Sequence, residues 1–233
     1  MLPFKIKICG LTDPANVRPT VEAGAQALGL NFFNGSKRYL EPDQAVLIGE
    51  TIPAEIVRVG VFVNDMMSPM MIYATGIPQL DFIQLHGEES AKEVAELYKL
   101  LAGEGGNDES RTPGIIKAFR LKADPEAEIG PFLDECQQRG VPLAAMLIDA
   151  FSTAGHGGTG ERADWAALGR WTDRRGVPLI LAGGITPENV AEAIATVQPD
   201  AIDTASGVES SPGIKDPARV RALVQAAESA WKQ

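Results

Sequence analysis

Cys9, Arg38, Gln84, His86 and Asp149 are the residues whose types and positions could do chemistry, and each stands at or just beyond the end of a short apolar run. A thiol is a general base once ionised. A carboxyl partly withdrawn from water is a general acid, because desolvation raises its pKa. Asp149 follows the apolar run LAAMLI and fits that description. In FKIKIC the alternation puts Phe4, Ile6 and Ile8 on one face of a strand and Lys5, Lys7 and Cys9 on the other. Lysines below a cysteine favour the thiolate. Taken alone, a cysteine is most often a small core residue and an aspartate a cap or loop ion pair. A cysteine base on one strand end and an aspartic acid on another, roughly across a shared mouth, instead make a proton shuttle suited to a sugar carbon.

Three glycine loops add a second kind of chemistry. They are GHGGTG with Gly157, Gly158 and Gly160, AGGI with Gly183 and Gly184, and the loop after Asp203 with Ser206 and Gly207. Glycine lets backbone N–H groups approach phosphate oxygens, and Thr186-Pro187-Glu188 after AGGI reads as a helix start whose dipole aims at the same point. One glycine loop is a weak signal, since surface loops look alike. Three in succession point to a phosphorylated substrate.

The elements that must position these residues repeat in order. Eight strand-like runs, FKIKIC, AQALGLNFF, EIVRVGVFV, LDFIQLH, GIIKAFRL, PLAAMLIDA, VPLILAGG and DAIDTASG, alternate with eight helix-like stretches, among them 66–76 and 186–197. Several helices open on an Asp-Pro or Thr-Pro pair, a cap followed by a proline in the first turn. Strict alternation leaves an open doubly wound sheet or a closed eight-fold barrel, and the count of eight favours the α/β barrel. The sequence after Cys9 is GLTDPANV, not the G-x-G-x-x-G of a dinucleotide fold. In a barrel the active site lies at the strand C-termini, where all the residues above fall. Lys5 and Lys7 are then expected inside, paired with acids lower in the lumen. The loop AGEGGNDESRTPG reads as an insertion without catalytic role.

Composition bounds the partners. With 233 residues, 45% of them hydrophobic, the chain suits one domain over 1–233. A formal charge of −10 argues against nucleic acid and anionic membranes, though a local positive pocket can still hold a small anion. Two cysteines, Cys9 and Cys136, suit a reducing cytoplasm rather than a disulfide framework. The two histidines, His86 and His156, are not spaced as a metal pair, and neither a metal nor a cofactor is expected.

In combination, CGLT, NGSKRYL, QLHG, LIDA with HGGTG, LAGGITPENV and DTASGVESSPGIKD resemble the phosphoribosylanthranilate isomerase family of tryptophan biosynthesis, in order from Lys7 to Asp216. The resemblance implies a single (β/α)8 TIM barrel and an Amadori rearrangement of N-(5-phosphoribosyl)anthranilate. It makes Cys9 the general base, Asp149 the general acid, Arg38 the partner of the anthranilate carboxylate and the glycine loops the phosphate cradle. Gln84, His86 and Asp203 fall at family positions and are expected to bind substrate. One departure is Lys37, which stands before the arginine where the family usually has proline. The alternatives are another sugar-phosphate aldose–ketose isomerase, or a catalytically silent phosphate-binding barrel. A monomer or homodimer is expected.

Overall fold

The computed structural model describes residues 1–64, 79–103, 112–120, 124–149 and 165–232. Eight parallel strands pair in chain order: β1 (Ile6–Cys9), β2 (Ala27–Asn31), β3 (Val57–Phe62), β4 (Phe82–Leu85), β5 (Gly114–Arg120), β6 (Leu143–Asp149), β7 (Leu179–Ala182) and β8 (Ala201–Thr204). β8 returns to β1 and closes the barrel. The described helices are α1 (Val17–Glu22), α2 (Pro42–Thr51), α3 (Ala91–Ala102), α4 (Pro125–Gln138), α5 (Trp165–Arg170), α6 (Val190–Val197) and α7 (Pro217–Ala230). The helix expected over 66–76 and most of the expected insertion loop lie outside the described residues.

Cap chemistry sets the helix starts. Asp124 and Asp216 stand in extended conformation before a proline, and each accepts an N–H from the residue two further on. Ser90 and Glu93 form a reciprocal capping box at α3. Thr186-Pro187 behaves otherwise. Asn189 accepts the Thr186 N–H at 2.8 Å and donates to Gly184 O at 2.9 Å, closing a turn, so α6 starts at Val190 rather than at Thr186.

Alternation along the strands separates two apolar shells. Ile6, Ile8, Leu28, Leu30 and Ile148 pack outward against the helices, whereas Phe4, Ala27, Val59, Leu147 and Ile180 belong to the lumen. Lys7 is wholly buried on the lumen side. Its acid is not lower in the barrel but beside it: Asp203, its register partner on β8, with Oδ1 2.9 Å from Nζ. Lys5 does not point inward. β1 begins at Ile6, so Lys5 escapes the strand's alternation. Its exposed side chain carries Nζ over the Trp231 ring, 5.0 Å from the centroid, while Phe4 fills the lumen base. The stretch after β8, which reads as a glycine loop, forms a short antiparallel hairpin of β9 (Glu209–Ser211) and β10 (Ile214–Lys215).

Candidate active site

A cavity of about 560 Å³ opens at the C-terminal ends of the strands and brings together Cys9, Arg38, Gln84, His86, Asp149, Gly183, Gly184, Asp203 and Ser206. Gly207 is not in its wall. Gly157, Gly158 and Gly160, with His156, lie outside the described residues.

Cys9 ends β1 with only 9% of its surface exposed. Burial pushes its thiol above the ordinary value; the Lys7 charge pulls it down, Asp203 pushes it up and Lys215 pulls it down again. The thiolate that neighbouring lysines were expected to favour is therefore not the resting form. Lys7 shares its charge with Asp203, and desolvation outweighs what remains. The small ionised fraction is the stronger base for it.

Asp149 ends β6 across the barrel, with 28% of its side chain exposed. His86, one residue past β4, places Nε2 3.7 Å from Asp149 Oδ2. Gln84 Nε2 lies 2.9 Å from the other ring nitrogen, Nδ1. With the amide donating, Nδ1 is bare and the ring proton sits on Nε2, facing the carboxyl. Gln84 is itself buried, and its Oε1 has no hydrogen-bond partner among the described residues. The loop that carries His86 is pinned from beneath. Lys117 Nζ donates to Gly87 O at 2.8 Å and pairs with Glu89 at 3.1 Å, and Glu89 in turn accepts the N–H groups of Asn64 and Gly87.

The β7–β8 corner is shaped by backbone. Gly183 and Gly184 hold φ of 87° and 66°, a region other residues enter at a cost, and this turn exposes the chain to the cavity beside Ser206. Gly207 serves differently. A Cβ there would collide with Ile185 O, so its glycine lets two loops cross rather than line the site. Arg219 on α7 donates to Gly207 O at 3.0 and 3.1 Å and holds the crossing.

Arg38 reaches the cavity from the loop after β2, but one edge of its guanidinium is occupied. Nε donates to Glu209 Oε1 at 2.7 Å and Nη2 to Oε2 at 2.6 Å.

The sequence and fold match a known family. The family model for N-(5'phosphoribosyl)anthranilate (PRA) isomerase matches residues 6–226. The chain belongs to the phosphoribosylanthranilate isomerase family. The N-(5'-phosphoribosyl)anthranilate isomerase of Citrifermentans bemidjiense is 39% identical over 227 residues, covering 96% of this chain and 97% of that protein. The crystal structure of the Thermotoga maritima phosphoribosylanthranilate isomerase superposes with a TM-score of 0.78 at 34% identity, covering 97% of this chain and 98% of that one. Another phosphoribosylanthranilate isomerase, in complex with reduced 1-(o-carboxyphenylamino)-1-deoxyribulose 5-phosphate, gives a TM-score of 0.75 at 32% identity, with 97% and 98% covered.

For a phosphoribosylanthranilate isomerase fold, three features of the cavity surroundings were not read from the sequence. Arg120 stands at the mouth as the register partner of Asp149. Its place at the end of GIIKAFRL marks it by the same strand-end rule that found Asp149. Lys117 and Glu89 carry no signal, because Lys117 points away from the lumen, between strand and helix. Glu209 and Lys215 lie in the stretch that reads as a glycine loop and forms the β9–β10 hairpin.

Proposed function

We propose that this chain, folded as one domain over residues 1–233, isomerises N-(5-phosphoribosyl)anthranilate to 1-(2-carboxyphenylamino)-1-deoxyribulose 5-phosphate in tryptophan biosynthesis. The observation that carries the reading is that Cys9, Asp149 and Arg38 line one cavity with the glycine corner of β7 and β8. Asp149 gives a proton to the furanose ring oxygen, the bond from that oxygen to C1 breaks, and the nitrogen lone pair closes a Schiff base. Cys9, as thiolate, takes the proton from C2, and the electron pair of that bond moves into the C1–N system to give an enolamine. Loss of the proton on O2 and gain of one at C1 completes the ketone.

The anions are met locally. Arg38 takes the anthranilate carboxylate, and backbone N–H groups at Gly184 and Ser206 take the phosphate, both at short range where a formal charge of −10 is screened. Gln84 Oε1, buried and without a partner among the described residues, suits a sugar hydroxyl, as does the Asp203 carboxylate. His86 places a ring nitrogen 3.7 Å from the Asp149 carboxyl and keeps an imidazole beside the acid. Among the described residues no helix is long and apolar enough to cross a membrane. The partner is a small phosphorylated molecule, neither nucleic acid nor membrane, and the protein works in the cytoplasm as a monomer or homodimer.

Mixing purified protein with freshly prepared N-(5-phosphoribosyl)anthranilate tests this. Substrate fluorescence should fall as the ribulose product accumulates. Recovery of unisomerised substrate would remove the assignment.

A further inference from the structure

We propose that Glu209, held by Lys215, is a positioning residue that fixes the direction from which Arg38 meets a substrate carboxylate. This rests on the reading of Arg38 given above and deepens it. Glu209 is 5% exposed at its side chain, and its two oxygens take the Nε and Nη2 edge of Arg38. Oε1 also accepts from Lys215 Nζ at 2.7 Å and from Gly213 N at 3.0 Å. Lys215 is itself fully enclosed. It donates to Cys9 O as well, and the side chain of Asn16 clamps its backbone by accepting from Lys215 N and donating to Lys215 O. The chain Asn16, Lys215, Glu209, Arg38 therefore runs from rigid backbone to the cavity wall.

Two consequences follow for ligand recognition. A guanidinium has five N–H donors. The fork to Glu209 consumes one edge, so the second edge, between Nη1 and Nη2, is the one left for a bidentate carboxylate. Arg38 thus meets its ligand end-on. Rotation about the Nε bond, which would offer the other edge, is blocked by Glu209. Charge is preserved as well. Two cations and one anion leave the group one positive unit, so the arginine can be anchored by a carboxylate without becoming neutral toward an incoming one. Lys215 supplies that difference.

The test is a ligand cycle on the intact protein. One probe is reduced 1-(o-carboxyphenylamino)-1-deoxyribulose 5-phosphate, and the other is the same molecule without the carboxylate. The parent should bind the first more tightly. Glu209→Gln should weaken the carboxylate-bearing probe about 10-fold, the scale of one charge-assisted fork, and the carboxylate-free probe less than about 2-fold. Inhibition by inorganic phosphate should not change. Glu209→Asp, which keeps the charge beside Lys215 but shortens the reach to the guanidinium, should show the same selective loss and serves if the Gln variant does not fold. Equal weakening of both probes, or no selective loss in either variant, overturns the role of Glu209. A parent that binds the two probes alike overturns the carboxylate reading of Arg38 and this proposal with it.

Discussion

Lys7 and Asp203 face each other across the β1–β8 seam with Nζ and Oδ1 2.9 Å apart, one step below Cys9 on the same face of β1. The pair sets how much positive charge reaches the thiol. Asp203 pushes the Cys9 thiol up while Lys7 pulls it down.

Asp203→Asn removes the upward push and frees Lys7 to pair with the thiolate. The basic limb of the pH profile of kcat should move to lower pH in the variant, although KM rises if Asp203 also holds substrate. At a pH where Cys9 is still the neutral thiol, stability should fall by about 3 to 5 kcal/mol, because Lys7 is then buried without a counterion. A limb that stays in place or moves upward takes the pair out of the control of Cys9.

Cys9→Ser should cost about 10²-fold or more in kcat, since a hydroxyl is a far weaker base near neutral pH, with the thermal transition nearly unchanged. Cys136→Ser is the control. That thiol is buried in α4 and pushed up to about 11 by its burial, and its loss should leave turnover as it was. Unaltered turnover in Cys9→Ser would remove the thiol from the mechanism.

Inorganic phosphate should inhibit competitively if, as proposed, backbone N–H groups of the β7–β8 corner take the anion, since that needs nothing of the rest of the substrate. Gly184→Val forces a branched side chain to a φ of 66° and should weaken phosphate and substrate together. Gly207→Val is a different experiment: its side chain would strike Ile185 O, so the expected loss is in folding yield rather than in affinity. Phosphate inhibition that survives Gly184→Val intact would place the anion elsewhere.

Much of this site is legible from strand ends, and the residues that escape do so for physical reasons. Cys9, Gln84 and Asp149 follow from alternation that a closed barrel enforces on each strand. Lys5 was misplaced because that rule holds only inside the strand, and β1 starts one residue later. The start of α6 was set too early because the side chain of Asn189 captures Thr186. Glu209 could not be read at all: its partner Arg38 lies 171 residues away, and nothing local to VESSPG announces it.

Glu209 also has a signature in acid. Its carboxyl is pulled down to about 2, against its own burial, by hydrogen bonds from Arg38 and Lys215. A carboxyl with a folded pKa below the unfolded value near 4.5 stabilises the fold above that value and loses the contribution as pH falls toward 2. Denaturation midpoints of the parent and Glu209→Gln should therefore differ most at neutral pH and converge between about pH 4.5 and 2. A gap that stays constant over that window would mean that Glu209 is not ionised in the native state.

The seam between β1 and β8 joins the two strands farthest apart along the chain. Cys9 lies on the first strand of the barrel, yet Asp203 and Lys215, which act on it, are made only after nearly all the rest of the barrel. Early strands can pair with their neighbours over short loops, but the lumen charge of Lys7 stays unanswered until the last loop closure is made. The proposed catalytic centre is thus completed late in folding, and a chain interrupted before β8 carries the candidate base without the environment that tunes it.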